Sequence, residues 1–184
     1  MSTSTLRFAP MTPFNYAVSI GAMIVIVVAS NVLVQFPLNN WLTWGAITYP
    51  IAFLVADLLN RRFGPQAARK VALFGFFAAL VISAVVASPR IALASGTAFI
   101  VAQLVDIQIF HKFRSRRWWQ GPFLGGIAGA TVDTFIFFSV AFAGTDMQWQ
   151  TLLLGDLAVK LALNTLMLAP FRALMWNLAR PAQQ

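Results

Sequence analysis

The sequence has no cysteine, a single histidine, and no glutamate among its acidic residues. The absence of cysteine excludes disulfides, thiolate zinc sites and iron–sulfur clusters. A single histidine excludes the HExxH zinc pair, and neither a GxSxG turn nor a P-loop is present. We therefore predict that the protein is not an enzyme, does not hydrolyse ATP itself, and needs no metal or cofactor.

Charged residues are also scarce. They make up 10% of the 184 residues, whereas 59% are hydrophobic; a soluble domain is typically about 25% charged and about 45–50% apolar. These proportions exclude a water-soluble globular protein and a disordered chain. Because one membrane-spanning helix takes about 20 residues, the length leaves room for about five to seven spans.

Apolar segments separated by polar ones predict six transmembrane helices in a single domain that covers residues 1–184. The second segment is short and contains Pro50, so an irregular backbone is expected there. The predicted fold class is an all-α bundle that crosses the lipid bilayer six times. The spans are predicted at residues 15–36, 45–59, 68–88, 91–110, 121–143 and 151–171.

Basic residues outnumber acidic ones by 13 to 5. Eleven of the thirteen fall on one side of the predicted membrane: in the N-terminal segment, the second and fourth loops, and the C-terminal tail. Arg90 falls on the opposite side, and Lys160 lies inside the sixth span. The positive-inside rule then places both termini in the cytoplasm, and anionic lipid rather than nucleic acid accounts for the net charge of +8.

Several ionisable residues fall inside predicted spans, where each costs about 2.5–3.5 kcal/mol on insertion scales and therefore requires a partner or a function. Asp156, Lys160 and Asn164 share one face of the sixth span, because they are four residues apart. Two interpretations remain open: an intrahelical ion pair above a buried amide, or a cavity lining in which Lys160 also pairs with Asp133. The ionisable residues are Asp57, Asp106, Asp133, Asp156 and Lys160.

One face of the fourth span combines two aromatic and two polar side chains. Aromatic rings can stack on a flat heteroaromatic ligand, and a carboxylate beside an amide can bond its edge. The alternative is structural: Gln103 bonds a neighbouring helix, while Asp106 is neutralised by Lys112 or an arginine near the end of the span. The residues of this face are Phe99, Gln103, Asp106 and Phe110.

Gly121, Gly125 and Gly129 follow one another at steps of four in the fifth span and lead to Asp133. Repeated GxxxG spacing allows another helix to approach closely. The stripe therefore predicts helix packing, either within the subunit or across a homodimer. A substrate groove that leads to Asp133 is the alternative.

Further candidates lie near the ends of the first two spans. Asn31 lies near the outer end of the first span, and Trp44 lies at the mouth of the second, close to Tyr49. Asp57 precedes Arg61 by four residues, a spacing that permits a salt bridge at the membrane edge as well as a role in binding.

An ordered set of motifs extends over roughly residues 25–172. It comprises Ser30-Asn31-x-x-x-Gln35, Thr43-Trp44-Gly45, Tyr49-Pro50-x-x-Phe53-Leu54-x-x-Asp57-Leu58, Gly64 with Ala68-Arg69, Ala102-Gln103-x-x-Asp106-x-x-x-Phe110, Arg116-Arg117-Trp118-Trp119, Asp133-Thr134 and Asp156-x-x-x-Lys160. In this order the motifs resemble the queuosine precursor transporter family, also called the VUT family.

The resemblance implies a six-helix importer in the bacterial inner membrane. Its expected substrate is 7-cyano-7-deazaguanine, the aminomethyl relative of that compound, or queuine, which are used to make queuosine in tRNA. The resemblance also implies a helical arrangement similar to the substrate-binding components of vitamin ECF transporters, without a required ATPase partner. Two features depart from the family pattern: Ala130 and Val132 replace the Asn and Ser common before the Asp of span five, and the loop before span four is short.

A guanine-like edge presents two adjacent donors and one carbonyl acceptor. A buried carboxylate, Asp106 or Asp133, can accept from both donors, and the amide of Gln103 or Asn164 can donate to the carbonyl. Aromatic residues can stack on the ring; the candidates are Trp44, Tyr49, Phe53, Phe99 and Phe110. The whole predicted binding set is Asn31, Trp44, Tyr49, Phe53, Asp57, Phe99, Gln103, Asp106, Asp133, Asp156, Lys160 and Asn164.

Three functions compete at this point. The first is secondary transport of a deazaguanine. The second is a substrate-binding membrane subunit that needs an ATP-driven partner. The third is a structural membrane protein whose Asp and Gly residues only pack helices.

Overall fold

The computed structural model describes residues 8–33, 36–39, 42–48, 50–83, 89–145 and 149–177. In this part of the chain six long helices and one short helix form the fold, and a small hairpin joins the first two helices. The helices are α1 (Pro13–Leu33), α2 (Trp44–Thr48), α3 (Pro50–Phe63), α4 (Pro65–Ser83), α5 (Pro89–Phe113), α6 (Gln120–Phe142) and α7 (Trp149–Asn177). The hairpin pairs β1 (Pro37–Asn39) with β2 (Leu42–Thr43) in antiparallel orientation.

The six long helices lie where the apolar segments predict them. Four of them, α1, α5, α6 and α7, contain stretches that are long and apolar enough to cross a membrane. Large apolar side chains on the outside of the bundle, such as Phe74, Phe135 and Leu166, are more than half exposed. Such a surface suits contact with lipid tails rather than water, so the chain is a membrane protein.

The second predicted span differs from a continuous helix. It consists of α2, with five residues, and α3, which begins at Pro50 and has 14 residues. Proline has no N–H to donate and fixes its own φ angle, so it suits the first turn of a helix but not the interior. The hairpin is a second difference from the all-α expectation, and Trp44 N–H at the start of α2 donates to the Phe36 carbonyl next to it at 3.2 Å.

The last helix is longer than predicted. It continues through Pro170 and Arg172 to Asn177, beyond residue 171, where the sequence predicts that the sixth span ends and an interfacial helix end follows. Within this extension the Arg172 guanidinium lies 5.0 Å from the centre of the Trp118 ring, which follows α5. The C-terminal turn of α7 is thereby fixed to the end of the bundle where α5 stops.

The predicted cytoplasmic segments meet at one end of the bundle, which we call the basic end and define by Arg61, Arg62 and Arg114. Arg61 Nη1 donates to the Arg114 carbonyl at 2.9 Å, and Ala9 N–H donates to the Arg62 carbonyl at 3.1 Å. The ends of α3 and α5 and the segment before α1 are therefore neighbours. At the other end, Arg90 at the start of α5 donates to carbonyls at the end of α6.

Candidate functional site

A cavity lies between α3, α6 and α7. Three polar side chains, Asp57, Lys160 and Asn164, line it together with the rings of Phe53 and Phe171. Pro50, at the break between α2 and α3, also lines the cavity, as expected where irregular backbone at membrane depth borders a cavity. The enclosed space is about that of one water molecule, so a planar ligand could bind only after helices or side chains move.

Lys160 of α7 joins two carboxylates on different helices. Its Nζ lies 2.8 Å from Asp133 Oδ2 on α6 and 2.5 Å from Asp156 Oδ2 on its own helix. Thr134 connects the group further, because its hydroxyl donates to Asp156 at 2.9 Å and accepts from Lys160 at 3.2 Å. The predicted pairing of Lys160 with Asp133 is confirmed. Thr134 was absent from the predicted set, although it follows Asp133 directly in the sequence.

Gln103 and Asp106 of α5 are completely buried, and none of their terminal polar atoms has a hydrogen-bond partner among the residues that the structure describes. Within the described helices the structural alternative for these residues is therefore wrong on both counts: Gln103 bonds no neighbouring helix, and Asp106 forms no ion pair with Lys112 or Arg114. Buried polar groups are nearly always paired, and an unpaired one costs about 1–3 kcal/mol. An unsatisfied amide beside an unsatisfied carboxylate is thus an unusual feature that points to a ligand.

Asp57 of α3 connects the cavity with the buried pair on α5. Asp57 lines the cavity, and Asn60 on the next turn of α3 donates to the Ile107 carbonyl beside Asp106 at 3.0 Å, so the two acids lie on neighbouring turns of α3 and α5. Ionised carboxylates accept hydrogen bonds and cannot donate one, so neither acid could satisfy the other while both are charged. The salt bridge between Asp57 and Arg61 does not form in the described residues; Arg61 donates to the Arg114 carbonyl instead.

The glycine stripe of α6 allows three elements to meet. A Cβ atom on Gly125 would collide with the Asp106 carboxylate of α5, and one on Gly126 would collide with the Asn164 amide of α7. A Cβ on Gly129 would come within 2.7 Å of the Phe53 ring of α3. The stripe, with Gly121, is buried inside the chain, so the packing within the subunit is the one found, and a dimer through these glycines would have to displace α5.

The aromatic candidates divide between core and cavity. Phe99 stacks on Phe76 at 5.7 Å between ring centres, and Phe110 meets Phe171 edge to face at 6.0 Å. Phe99 and Phe110 are each only 1% exposed and are part of the packed core. Phe53 lines the cavity, whereas Trp44 is 47% exposed and does not.

Two predicted residues cannot be assigned a place in the site. Tyr49 lies outside the described residues, and so does the side chain of Asn31, although its backbone belongs to α1. Next to Asn31, the hydroxyl of Ser30 bonds that of Thr48 at 3.0 Å and thereby joins α1 to α2.

Asn60 and Arg114 form a buried polar junction that the sequence analysis missed. Asn60 Nδ2 donates to the Ile107 carbonyl on α5 at 3.0 Å, and Arg114 donates to the carbonyls of Asn60 and Arg61 at 3.1 and 2.7 Å. Burial, together with the charge of Arg61, lowers the pKa of Arg114 to about 10, so the guanidinium is charged at neutral pH. The junction holds α3 against α5 one turn from Asp57 and Asp106. In the sequence, an Asn in an apolar segment and an Arg after a helix end are both common. No regular spacing connects the two residues, so the sequence did not indicate that they meet.

Comparison with known proteins gives consistent matches. A family model described as "Putative vitamin uptake transporter" matches residues 43–88 and 83–175. The chain is 31% identical to the "Queuosine precursor transporter" of Escherichia coli strain K12, over 84% of this chain and 83% of that protein. It is 32% identical to the "Probable queuosine precursor transporter" of Haemophilus influenzae over the same shares, and 27% identical to the protein of that name from Bacillus subtilis over 68% of each chain.

No solved structure matches the chain, so the similarity to ECF binding components stays a prediction. The identity and coverage of the named relatives exceed what a shared composition of apolar helices would produce, and the family model spans every helix from α3 to α6. The chain therefore belongs to the queuosine precursor transporter family, also described as the vitamin uptake transporter family, whose members are transporters and not enzymes.

Proposed function

We propose that this protein imports a queuosine precursor across the bacterial inner membrane by secondary transport. The substrate would be 7-cyano-7-deazaguanine, 7-aminomethyl-7-deazaguanine or queuine. The names of the relatives support the substrate class, and the absence of a P-loop from the sequence supports a transporter without its own ATPase site.

The observation that carries the proposal is the unsatisfied pair Gln103 and Asp106. A guanine-like ring offers adjacent ring and exocyclic N–H donors and one carbonyl oxygen. Both donors can bond to the two free oxygens of Asp106, and the Gln103 amide, one turn away, can donate to the carbonyl. Such a ligand would satisfy buried atoms that have no partner in the described residues.

The route to this pair begins at the cavity. Phe53 lines the cavity and also contacts the Gly129 position on α6, where the Asp106 side chain lies within 3.2 Å of an added Cβ. A movement of α3 away from α6 would therefore join the cavity to Asp106. The short helix α3, with a break before it, is the element best suited to such a movement.

At Ala130 the cavity wall of this protein differs from the family pattern. The residue is 6% exposed and lines the cavity on α6, at a position where the family pattern commonly has Asn. A methyl group there offers no hydrogen bond to a substituent of the ring. We expect this replacement to affect the choice among deazaguanines rather than transport itself.

The topology belongs to the same proposal. The N-terminal segment, the end of α3 and the end of α5 meet at the basic end, and the sequence places the basic segments in the cytoplasm. Six crossings then put both termini in the cytoplasm, with the hairpin and the start of α5 on the outer side.

Uptake of labelled 7-cyano-7-deazaguanine tests the proposal. The chain is expressed in a bacterial strain that cannot make queuosine precursors, and queuosine is measured in tRNA. We expect the chain to restore both uptake and queuosine, and Asp106→Asn at equal membrane abundance to restore neither. Failure of the wild-type chain with all three deazaguanines would overturn the proposal. Uptake in cells that is absent from proteoliposomes containing only this chain would favour a binding subunit with an ATPase partner.

A further inference from the structure

Buried polar atoms without partners are concentrated where α3 faces α5. Among them are Asp57 Oδ1, Asn60 Oδ1, both amide atoms of Gln103 and both carboxylate oxygens of Asp106. The two carboxyl groups come from packed helices: Asn60, one turn after Asp57 on α3, donates from Nδ2 to the carbonyl of Ile107, which follows Asp106 on α5, at 3.0 Å. Gln103 is an independent sign of a ligand at this place, because its amide is 0% exposed and bonds nothing in the described part of the chain.

No cation in the described residues balances this acidic pair. Lys160 faces the same cavity, but it already holds Asp133 and Asp156. On the other packed helices, Arg69 of α4 donates to Gln108, and His111 lies on α5 at the basic end. Arg61, Arg90 and Arg114 donate to backbone carbonyls, and Arg172 lies on the Trp118 ring. The remaining titratable groups of these helices are Tyr16, Arg62, Lys70 and Lys112.

Two ionised carboxyl groups in contact would repel each other, and neither could donate a hydrogen bond. One proton between them removes one charge and supplies the missing donor. We propose that the pair Asp57 and Asp106 is the coupling site of the transporter, and that it binds one proton which crosses the membrane in the same direction as the substrate. This inference rests on the proposed function and adds the driving ion to it.

The proton and the substrate can occupy the pair together. When ring N–H groups donate to Asp106, that carboxylate remains ionised, and the proton stays on Asp57. Once the site faces the cytoplasm and the substrate leaves, water reaches the pair, and the proton passes from Asp57 to that water. One proton enters from the outer solution and one is released inside, so no other reactant is needed.

Purified full-length protein in liposomes tests the coupling. The membrane potential is clamped with potassium and valinomycin, the outside is one pH unit more acidic, and labelled 7-cyano-7-deazaguanine is added outside. Coupling to one proton supports about tenfold accumulation over the outer concentration. Asp57→Asn mimics a permanently protonated residue. With this variant the deazaguanine concentrations inside and outside the liposomes should become equal, without accumulation. Asp146→Asn, an acid outside the predicted spans, is the matched control and should accumulate like the wild type.

Different results separate the inference from the function beneath it. Wild-type accumulation that ignores the pH gradient, or that follows a sodium gradient instead, overturns the proton site while leaving transport intact. Tenfold accumulation by Asp57→Asn would also overturn the proton site and leave transport intact. If Asp57→Asn does not fold, the pH gradient of liposomes with wild-type protein is collapsed by a protonophore. Unchanged accumulation of the deazaguanine would then contradict coupling to protons. A wild-type protein that moves no deazaguanine overturns both proposals.

Discussion

Lys160 Nζ on α7 donates a 2.8 Å hydrogen bond to Asp133 Oδ2 on α6, and both side chains are buried. The same amine also pairs with Asp156 one turn earlier on α7. One cation thus neutralises acids from two helices at a depth where an isolated charge is costly. The contact fixes the rotation of α7 relative to α6, and with it the position of Asn164 in the cavity wall.

Substitution of Lys160 alone should therefore reduce the stability of the protein more than substitution of Lys160 together with one of the acids that it pairs with. Lys160→Met strands Asp133, and breaking such a buried pair costs about 3–5 kcal/mol. Combining it with Asp133→Asn removes the stranded charge and should recover part of this loss. Unfolding of the two single variants and the double variant in detergent gives the coupling energy. Losses that simply add would show that the residues are independent.

The glycines of α6 lead to a second prediction. Gly126→Ala places a methyl group on the Asn164 amide, and overpacking of this kind costs about 1–3 kcal/mol. Gly21→Ala in α1 is the control, because the added Cβ meets no atom of another described helix within 4 Å, and Ala is favoured over Gly in a helix by about 0.5–1 kcal/mol. Thermal unfolding of both variants should therefore change in opposite directions. Equal thermal unfolding midpoints for the two variants would contradict the close approach of α6 to α7.

Arg114 should not be replaceable by lysine. Its guanidinium donates to two carbonyls of α3 and lies 4.3 Å from the centre of the Phe8 ring. A lysine ammonium cannot reproduce this planar geometry, so Arg114→Lys should lose about 1–3 kcal/mol of stability. Arg116→Lys, at an exposed position, should stay within about 0.5 kcal/mol of the wild type. Similar unfolding of the two variants would exclude a structural role for Arg114.

The length of the apolar segments was sufficient to predict the long helices, because burial of apolar residues in lipid is a large and local free-energy term. The start of α3 at Pro50 was partly foreseen for the same reason: proline acts within its own turn. The short hairpin was not, since its two strands are too brief to produce a periodic pattern. The asymmetry of basic residues predicts only the orientation of the bundle, which stays a prediction.

Contacts within the site depend on rotation and distance between helices, which a single sequence does not encode. The pairing of Lys160 with Asp133 could be predicted because no other basic residue lies deep in the spans. The meeting of Asp57 with Asp106 could not, because helical spacing relates residues of one helix only. For the same reason, the burial of Phe99 against Phe76 escaped an interpretation based on one helix face.

Reporter fusions test the orientation of the bundle. A reporter after Arg62 and another after Arg116 should read as cytoplasmic, because both follow helices that end at the basic end. A reporter after Asp146 should read as periplasmic. A periplasmic signal after Arg116 would contradict the six-span topology and the placement of both termini in the cytoplasm.

Asp106→Asn separates ligand recognition from folding. Asparagine has nearly the same size and is easier to bury than a carboxylate, and Asp106 makes no ion pair in the described residues, so the variant should fold. Substrate binding should weaken by about 2–4 kcal/mol, because a charge-assisted bond is lost and an amide donor now faces a ring donor. Titration of the purified variant with 7-cyano-7-deazaguanine measures the loss, and its unfolding without ligand provides the control. Asp57→Asn should keep more affinity, since Asp57 holds the proton while Asp106 holds the ring. Unchanged affinity in Asp106→Asn would exclude Asp106 as the residue that recognises the base and move that role to Asp133.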